Sequence, residues 1–477
     1  MKKISYLLLL AGVGVMLTSC EEKKEYFEMG TLDGIGMVIR SISVEEGSNI
    51  KPVDNIYVDY NNLVGIKTTT SATVNGAPVE VYVNPDNGMQ LVIPVNCVAN
   101  KEYTVDVPSG LIYRSDDQSV TNEGFTLKFT TDFGINPAKL DQNLTNSKAT
   151  AEAKALYAEL LSNYGTVMYS GAMGGVAWDT RYTDYIATAN DGAGYPKVVG
   201  FDYIHLAYSP ANWIDYGDIT PVKSVWDAGS IPTVTWHWNV PEVVNGEIVD
   251  SNLLSYNNTF SPLEALTPGT KQNEIIEADI KKLAGYMKLL QDANIPVLFR
   301  PFHEAAGDYA WGAWFWWGKD GVEATIQLWN YLRNKLENEY GLNNLIWVWT
   351  MQTSEAGVMA SLDTIRGAYP GDDVVDIVGV DLYPDSPLTD QTEQFNILNA
   401  AVNGKKIVTL SEVGNLIDPA IAAENNCLWS YFMNWYDFSS PDVFGFGEWN
   451  TQAVNYNGKE YSNPWAAVAN SPYVVNR

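Results

Sequence analysis

Eight short, nearly continuous apolar runs punctuate residues 166–449, with helical or loop stretches between them. They lie at 166–172, 198–206, 231–238, 295–304, 345–350, 376–383, 406–413 and 443–449. Runs that stay apolar instead of alternating belong to strands buried on both faces, as in a parallel sheet covered by helices. Between the third and fourth runs, Ile276, Ile280, Leu283, Met287 and Leu290 recur at helical spacing on one face. A further helix is expected over 150–164, with Thr150 as its cap and Gly165 as its stop. Eight strands with intervening helices predict an α/β fold, a (β/α)8 TIM barrel. A doubly wound sheet is the structural alternative, but no Gly-rich phosphate loop follows the first run.

A barrel of this kind carries its chemistry where strands end. Polar residues gather at those ends: His237 after the third run, His303 and Glu304 after the fourth, Asp381 and Tyr383 after the sixth, Glu412 after the seventh, Glu448 and Trp449 after the eighth. Packing alone does not call for so many on one face. The fourth end is the richest. Arg300-Pro301-Phe302-His303-Glu304 runs on to Trp314-Phe315-Trp316-Trp317-Gly318. A buried strand fixes the acid, and indole faces just beyond it suit stacking on pyranose rings. A hydrophobic surround raises a carboxyl pKa enough to keep its proton. Glu412 sits in Ile407-Val408-Thr409-Leu410-Ser411-Glu412-Val413, a strand too apolar to hold a solvated glutamate by chance. Opposed carboxylates across a sugar do acid/base and nucleophilic work.

Composition narrows the classes of partner. A net charge of −28 argues against nucleic acid, because both surfaces would repel. The 16 tryptophans and 28 tyrosines fit either aromatic-rich cores or carbohydrate stacking. Three histidines and three cysteines in the whole chain leave too few ligands for a His/Cys metal site. His303-Glu304-Ala305-Ala306-Gly307 lacks the second histidine of a zinc-protease helix, where Gly307 stands. No metal and no cofactor are expected. Cys97 and Cys427 fall in different candidate domains, so no disulfide is expected either.

The N-terminal part reads differently. Lys2 and Lys3 precede an apolar stretch too short for a comfortable membrane span. It ends in Leu17-Thr18-Ser19-Cys20, which resembles the lipobox of bacterial lipoproteins. That implies a signal peptide over 1–20, lipid on Cys20 and membrane anchoring. The acidic Glu21-Glu22-Lys23-Lys24-Glu25 looks like a surface-export tag, so an outer-membrane, cell-surface location is expected. Residues 21–36 read as a tether. Residues 37–135 carry short alternating strands, such as Phe125-Thr126-Leu127-Lys128-Phe129, and an Asn75-Gly76 turn signal. They predict a β-sandwich resembling bacterial immunoglobulin-like modules, with a spacer as its expected role. The barrel then takes 136–477.

The set RPFHE, WFWWG, Val378-Gly379-Val380-Asp381-Leu382-Tyr383-Pro384 and Leu410-Ser411-Glu412-Val413-Gly414 resembles glycoside hydrolase family 26, mainly a β-mannanase family. The resemblance covers about residues 150–477. It implies a TIM barrel and a retaining endo-β-1,4-mannanase acting on mannan, glucomannan or galactomannan. Glu304 matches the acid/base and Glu412 the nucleophile. His303 and His237 match substrate-contacting histidines, and Tyr383 the tyrosine that hydrogen-bonds the nucleophile. Trp314 and Phe315 match the aromatic pair beside the cleaved ring, and Trp449 the tryptophan beneath the sugar. The insertion Asp308–Ala313 lengthens the loop after Glu304 relative to the family pattern, and it makes Trp311 a second candidate for the cleft. Arg300 and Asp381 are read as a supporting ion pair or an orienting group. The same fold acting on xylan or mixed-linkage glucan stays open, as does a non-catalytic glycan-binding lipoprotein.

Overall fold

The computed structural model describes residues 36–48, 50–97, 101–131, 134–175, 177–189, 192–206, 214–245, 247–252, 259–306, 313–353, 358–384, 387–435, 454–456, 459–461 and 463–477. The chain divides into two compact units, Met1–Phe133 and Gly134–Arg477. Cys20, the tether up to residue 35, Trp311, Glu448 and Trp449 lie outside the described residues.

The first unit is all β. Its sheets are Ile39–Ile42, Asn55–Tyr60, Gln90–Pro94 and Tyr82–Val83; then Asp117–Thr121, Ile112–Arg114 and Val64–Ile66; then Phe125–Thr130, Glu102–Val107, Ala72–Val74 and Ala77–Val79. Period-two patterning does the work here. Ile56, Val58 and Tyr60 face inward while Tyr57 is exposed, and Leu127 and Phe129 join the same core.

The second unit holds a closed parallel barrel whose strands follow chain order. They are β1 (Gly171–Met173), β2 (Val198–Asp202), β3 (Ile231–Trp236), β4 (Val297–Pro301), β5 (Leu345–Gln352), β6 (Ile377–Leu382), β7 (Ile407–Val413) and β8 (Phe432–Asn434). The principal helices after them are α1 (Arg181–Ala189), α2 (Thr220–Asp227), α3 (Lys271–Asp292), α4 (Val322–Asn334), α5 (Leu362–Ala368), α6 (Thr392–Ala401), α7 (Pro419–Glu424) and α8 (Pro464–Ala469). This is the TIM barrel of the sequence reading. Every residue of β5 and β7 is buried, because helices cover one face and barrel side chains fill the other. On α3, Ile276, Ile280, Leu283, Met287 and Leu290 are fully buried, and the Thr270 hydroxyl caps the helix by accepting from the Asn273 amide. The helix before β1 runs Ala151–Asn163 behind a Thr150 cap, and Gly165 beyond it takes φ +79°, which glycine adopts without strain.

Two strand expectations need correction. The run at 166–172 is split. Met168–Tyr169 pairs with Val474–Val475, and the barrel strand begins only at Gly171. Glycine is required there, since a Cβ would lie 2.3 Å from the Phe432 carbonyl oxygen of β8. The closing strand is Phe432–Asn434, not 443–449; Ala172 pairs with Asn434 and shuts the barrel. A three-residue strand gives almost no periodic signal. In addition, α7 is a short helix of six residues, so the chain returns to the sheet sooner than a full-length crossover would allow.

Candidate active site

The barrel gathers its polar residues at the C-terminal ends of the strands, and an irregularity in β7 aims the most important of them. Gly379 pairs with Thr409, yet Asp381 pairs with Glu412, so β7 carries one extra residue against β6. β7 also carries one extra residue against β8, between the Leu410–Phe432 and Val413–Asn434 pairs. Neighbouring residues in a regular strand point to opposite faces. The bulge breaks that rule and sends both Ser411 and Glu412 into one cluster. Gly379 makes room for it: a Cβ there would sit 2.4 Å from the Ser411 hydroxyl oxygen.

Arg300 ties the cluster together. Its Nη1 donates to Asp381 Oδ2 and its Nη2 to Glu412 Oε2, each at 2.6 Å, and all three side chains are buried. Asp381 takes a second hydrogen bond from the Ser411 hydroxyl at 3.0 Å, and Ser411 in turn accepts from Thr350 at 3.1 Å. Tyr383 donates its hydroxyl to Glu412 Oε1. Both oxygens of Glu412 therefore accept hydrogen bonds, which fixes the carboxylate in one orientation. Burial pushes Asp381 strongly toward its neutral form, and the guanidinium opposes that. Burial, with Glu412 and Glu304 nearby, holds the Tyr383 phenol well above its usual range, so it stays a donor. The nearest ligand atoms of His303, Asp381 and Glu412 lie within 4.8 Å of one another. The positive charge against both carboxylates is that of Arg300.

Glu304 is held differently. Burial first, and the Glu412 charge second, raise its pKa to about 7; Arg300 and the Trp314 N–H pull the other way. Trp314 Nε1 donates to Glu304 Oε2 at 2.7 Å. A protonated carboxyl so held carries its hydrogen on Oε1, the oxygen left free to give it away. The backbone turns sharply here. Phe302 and Glu304 take φ +53° and +54°, a left-handed conformation that costs a non-glycine residue roughly 1–2 kcal/mol. Such strain persists where surrounding packing dictates it. Trp317 Nε1 donates to the His303 carbonyl at 2.8 Å, and Trp316 Nε1 to the Trp238 carbonyl at 2.8 Å. Both indoles are fully buried. They brace the loop as wall and core, while Trp314 stays half-buried beside Glu304.

The histidines form the third part. His237 Nδ1 lies 2.6 Å from Asp202 Oδ2, and His237 Nε2 lies 3.0 Å from His303 Nε2. Phe315 stands edge-on to His237 and tilted against His303, with centroids 5.7 and 5.1 Å away. Trp435, just past β8, tilts over His237 at 5.6 Å.

The structure thus brings Glu304, Glu412, His237, His303, Trp314, Phe315 and Tyr383 to one end of the barrel. Trp449 falls outside the described residues. His205 lies half-buried after β2, with its amide donating to the Tyr216 hydroxyl at 3.0 Å. Sequence reasoning missed Asp202 and Trp435. Asp202 ends the buried strand β2, and a carboxylate within such a strand is the signal that exposed Glu412. Trp435 was hidden by the misplaced eighth strand.

Comparison with known proteins gives the family. The family model described as Glycosyl hydrolase family 26 matches residues 145–470. Mannan endo-1,4-beta-mannosidase B of Piromyces sp is 33% identical over 304 residues, 62% of this chain and 49% of its own. The chain therefore spans about half the length of that relative. Among solved structures, the GH26 domain of an endo-beta-mannanase/endo-beta-glucanase from Prevotella bryantii is 33% identical. It has a TM-score of 0.59 and covers 70% of this chain and 98% of its own. A beta-mannanase from a symbiotic protist of the termite Reticulitermes speratus, complexed with gluco-manno-oligosaccharide, is 28% identical. Its TM-score is 0.57, over 72% of this chain and 98% of its own.

Proposed function

The chain belongs to glycosyl hydrolase family 26, and from that premise we propose that it is a retaining endo-β-1,4-mannanase. The observation that carries this reading is a pair of carboxyls prepared for opposite tasks. Glu412 is pinned through both oxygens by Arg300 and Tyr383, while Glu304 keeps its proton up to a pH of about 7.

Glu412 attacks the anomeric carbon as Glu304 gives its Oε1 proton to the leaving oxygen. A covalent glycosyl-enzyme forms and the leaving sugar departs as an alcohol. Esterifying Glu412 removes the charge that had raised the Glu304 pKa, so Glu304 becomes a better-ionised base. It then takes a proton from water, which attacks the same carbon and restores the original configuration. Trp314, Phe315 and Trp435 supply apolar surface for the sugar faces. The substrate class is supported by the mannanase relatives and by the gluco-manno-oligosaccharide complex of the termite-protist enzyme.

The test is to incubate the full chain with mannan, glucomannan, galactomannan, xylan and lichenan, and to measure reducing ends. The expected result is release from the mannose-containing polymers, with a spread of oligosaccharides early in the reaction. Release from xylan or lichenan alone replaces the substrate; binding without release replaces the reaction.

The location belongs to the same proposal. No helix among the described residues is long and apolar enough to cross a membrane. Lipid on Cys20 anchors the protein at the outer membrane, facing the cell surface, and the N-terminal β unit serves as an immunoglobulin-like spacer. Cys20→Ala is expected to yield protein in the soluble fraction with unchanged activity on soluble mannan. Membrane association that persists in the variant removes the anchor reading.

A further inference from the structure

Hydrogen positions around the two site histidines follow from their partners. Asp202, 2% exposed, accepts from the His237 main-chain amide at 3.1 Å and lies 2.6 Å from His237 Nδ1. A carboxylate in such a contact accepts, so His237 Nδ1 carries a hydrogen. His237 Nε2 and His303 Nε2 are 3.0 Å apart and share one hydrogen between them. At the far end, His303 Nδ1 lies 3.4 Å from Thr235 Oγ1. The single hydroxyl hydrogen of Thr235 is committed to the Arg300 carbonyl at 3.0 Å. Thr235 offers His303 only a lone pair, so the hydrogen in that contact sits on His303 Nδ1. A neutral His303 with its hydrogen on Nδ1 has a bare Nε2. The shared hydrogen must then belong to His237, which already has one on Nδ1.

We propose that His237 is a fixed imidazolium, held by Asp202, which locks His303 as the neutral Nδ1–H tautomer beside Glu304. Asp202 and Thr235 are positioning residues at the two ends of this chain. The titratable and charged groups facing His237 are Asp202 from β2, Arg300, His303 and Glu304 from the β4 end, and Glu412 from β7. Burial pulls the His237 pKa down, but the Asp202 carboxylate outweighs it and leaves the ring above its ordinary value. Burial, then the His237 charge and then Arg300 push His303 well below its ordinary value. One ring is charged and the other neutral, as the hydrogen bonds require. The charge also reaches the acid, because His237 lowers the proton affinity of Glu304. Asp202 thereby sets both the direction of the histidine pair and part of the Glu304 pKa.

The chain has three histidines, which makes the test direct. Full-length protein labelled with 15N in its histidine rings is examined by long-range proton–nitrogen NMR near neutral pH, with His205→Gln used to assign the third ring. The expected spectrum contains one ring with both nitrogens protonated and one neutral ring protonated at Nδ1. A wild-type spectrum with both site rings neutral, or with His303 protonated at Nε2, overturns the proposal. This arm needs no activity, so it stands apart from the mannanase reading on which the kinetic arm rests. In that second arm, Asp202→Asn removes a charge-assisted hydrogen bond, so kcat/KM is expected to fall roughly 10- to 100-fold. Its alkaline limb should also move to higher pH, because Glu304 no longer faces a cation. Asp202→Glu should restore part of both. A loss of activity with an unmoved limb makes Asp202 merely structural and sinks the proposal. Should Asp202→Asn fail to fold, the wild-type spectrum alone decides.

Discussion

Glu412→Ala is expected to abolish turnover on every substrate, by roughly 10⁴- to 10⁶-fold, the range seen when a nucleophile is removed from a catalytic set. The chain should remain folded, because Arg300 keeps its ion pair with Asp381 at 2.6 Å. Circular dichroism checks that point. The lost carboxylate leaves a space lined by Tyr383 and Arg300, where a small anion is attracted by the guanidinium. Added azide should therefore restore some activity on aryl glycosides that have good leaving groups. It attacks from the face that Glu412 used, so the product is a glycosyl azide of inverted configuration. Wild-type product of inverted configuration, read by NMR early in the reaction, would show that Glu412 is no nucleophile.

Glu304→Gln should separate two classes of substrate. Cleavage of polysaccharide falls by about 10²- to 10⁴-fold, the usual contribution of general acid–base catalysis. Formation of the glycosyl-enzyme from aryl glycosides is largely spared, because good leaving groups need little protonation. The pH profile carries the same signature. The Glu304 pKa is raised to about 7, so the acid form is present below that value and lost above it. Wild-type kcat/KM on mannan should decline as pH rises through about 7, and the variant should lack that limb. Equal losses on both classes of substrate remove Glu304 from the acid role.

The barrel could be read from the sequence because its rules are local. Strands buried on both faces must be apolar throughout, and β5 and β7 are. A helix packed on such a sheet must show a stripe, and α3 does. Seven of the eight expected runs hold a barrel strand wholly or in part; the eighth strand, Phe432–Asn434, lies outside the expected run. Three residues closing a ring carry no period of their own. Their pairing with β1 and β7 is fixed by the barrel, not by their composition.

The candidate carboxyls were legible for a related reason. A glutamate at the end of an apolar strand has a desolvation cost that only a partner or a function offsets. Chain pattern gave Glu304 and Glu412 their places at strand ends. It could not say which one keeps its proton. Glu304 keeps its proton because it is buried beside the Glu412 charge. Glu412 itself stands against Arg300, which reaches across the barrel from β4 to Asp381 and Glu412, 81 and 112 residues away. Thr235 was silent in the sequence, because it looks like an ordinary residue of a buried strand, and Asp202 carried a strand-end signal without showing its partner. Their meaning lies in hydrogen bonds made between neighbouring strands. Sequence by itself determined the apolar periods, and with them the architecture and the face where the chemistry sits. Only the tertiary structure decided protonation and aim, because proton affinity depends on which charges stand within a few ångströms in space, and strand closure sets those neighbours.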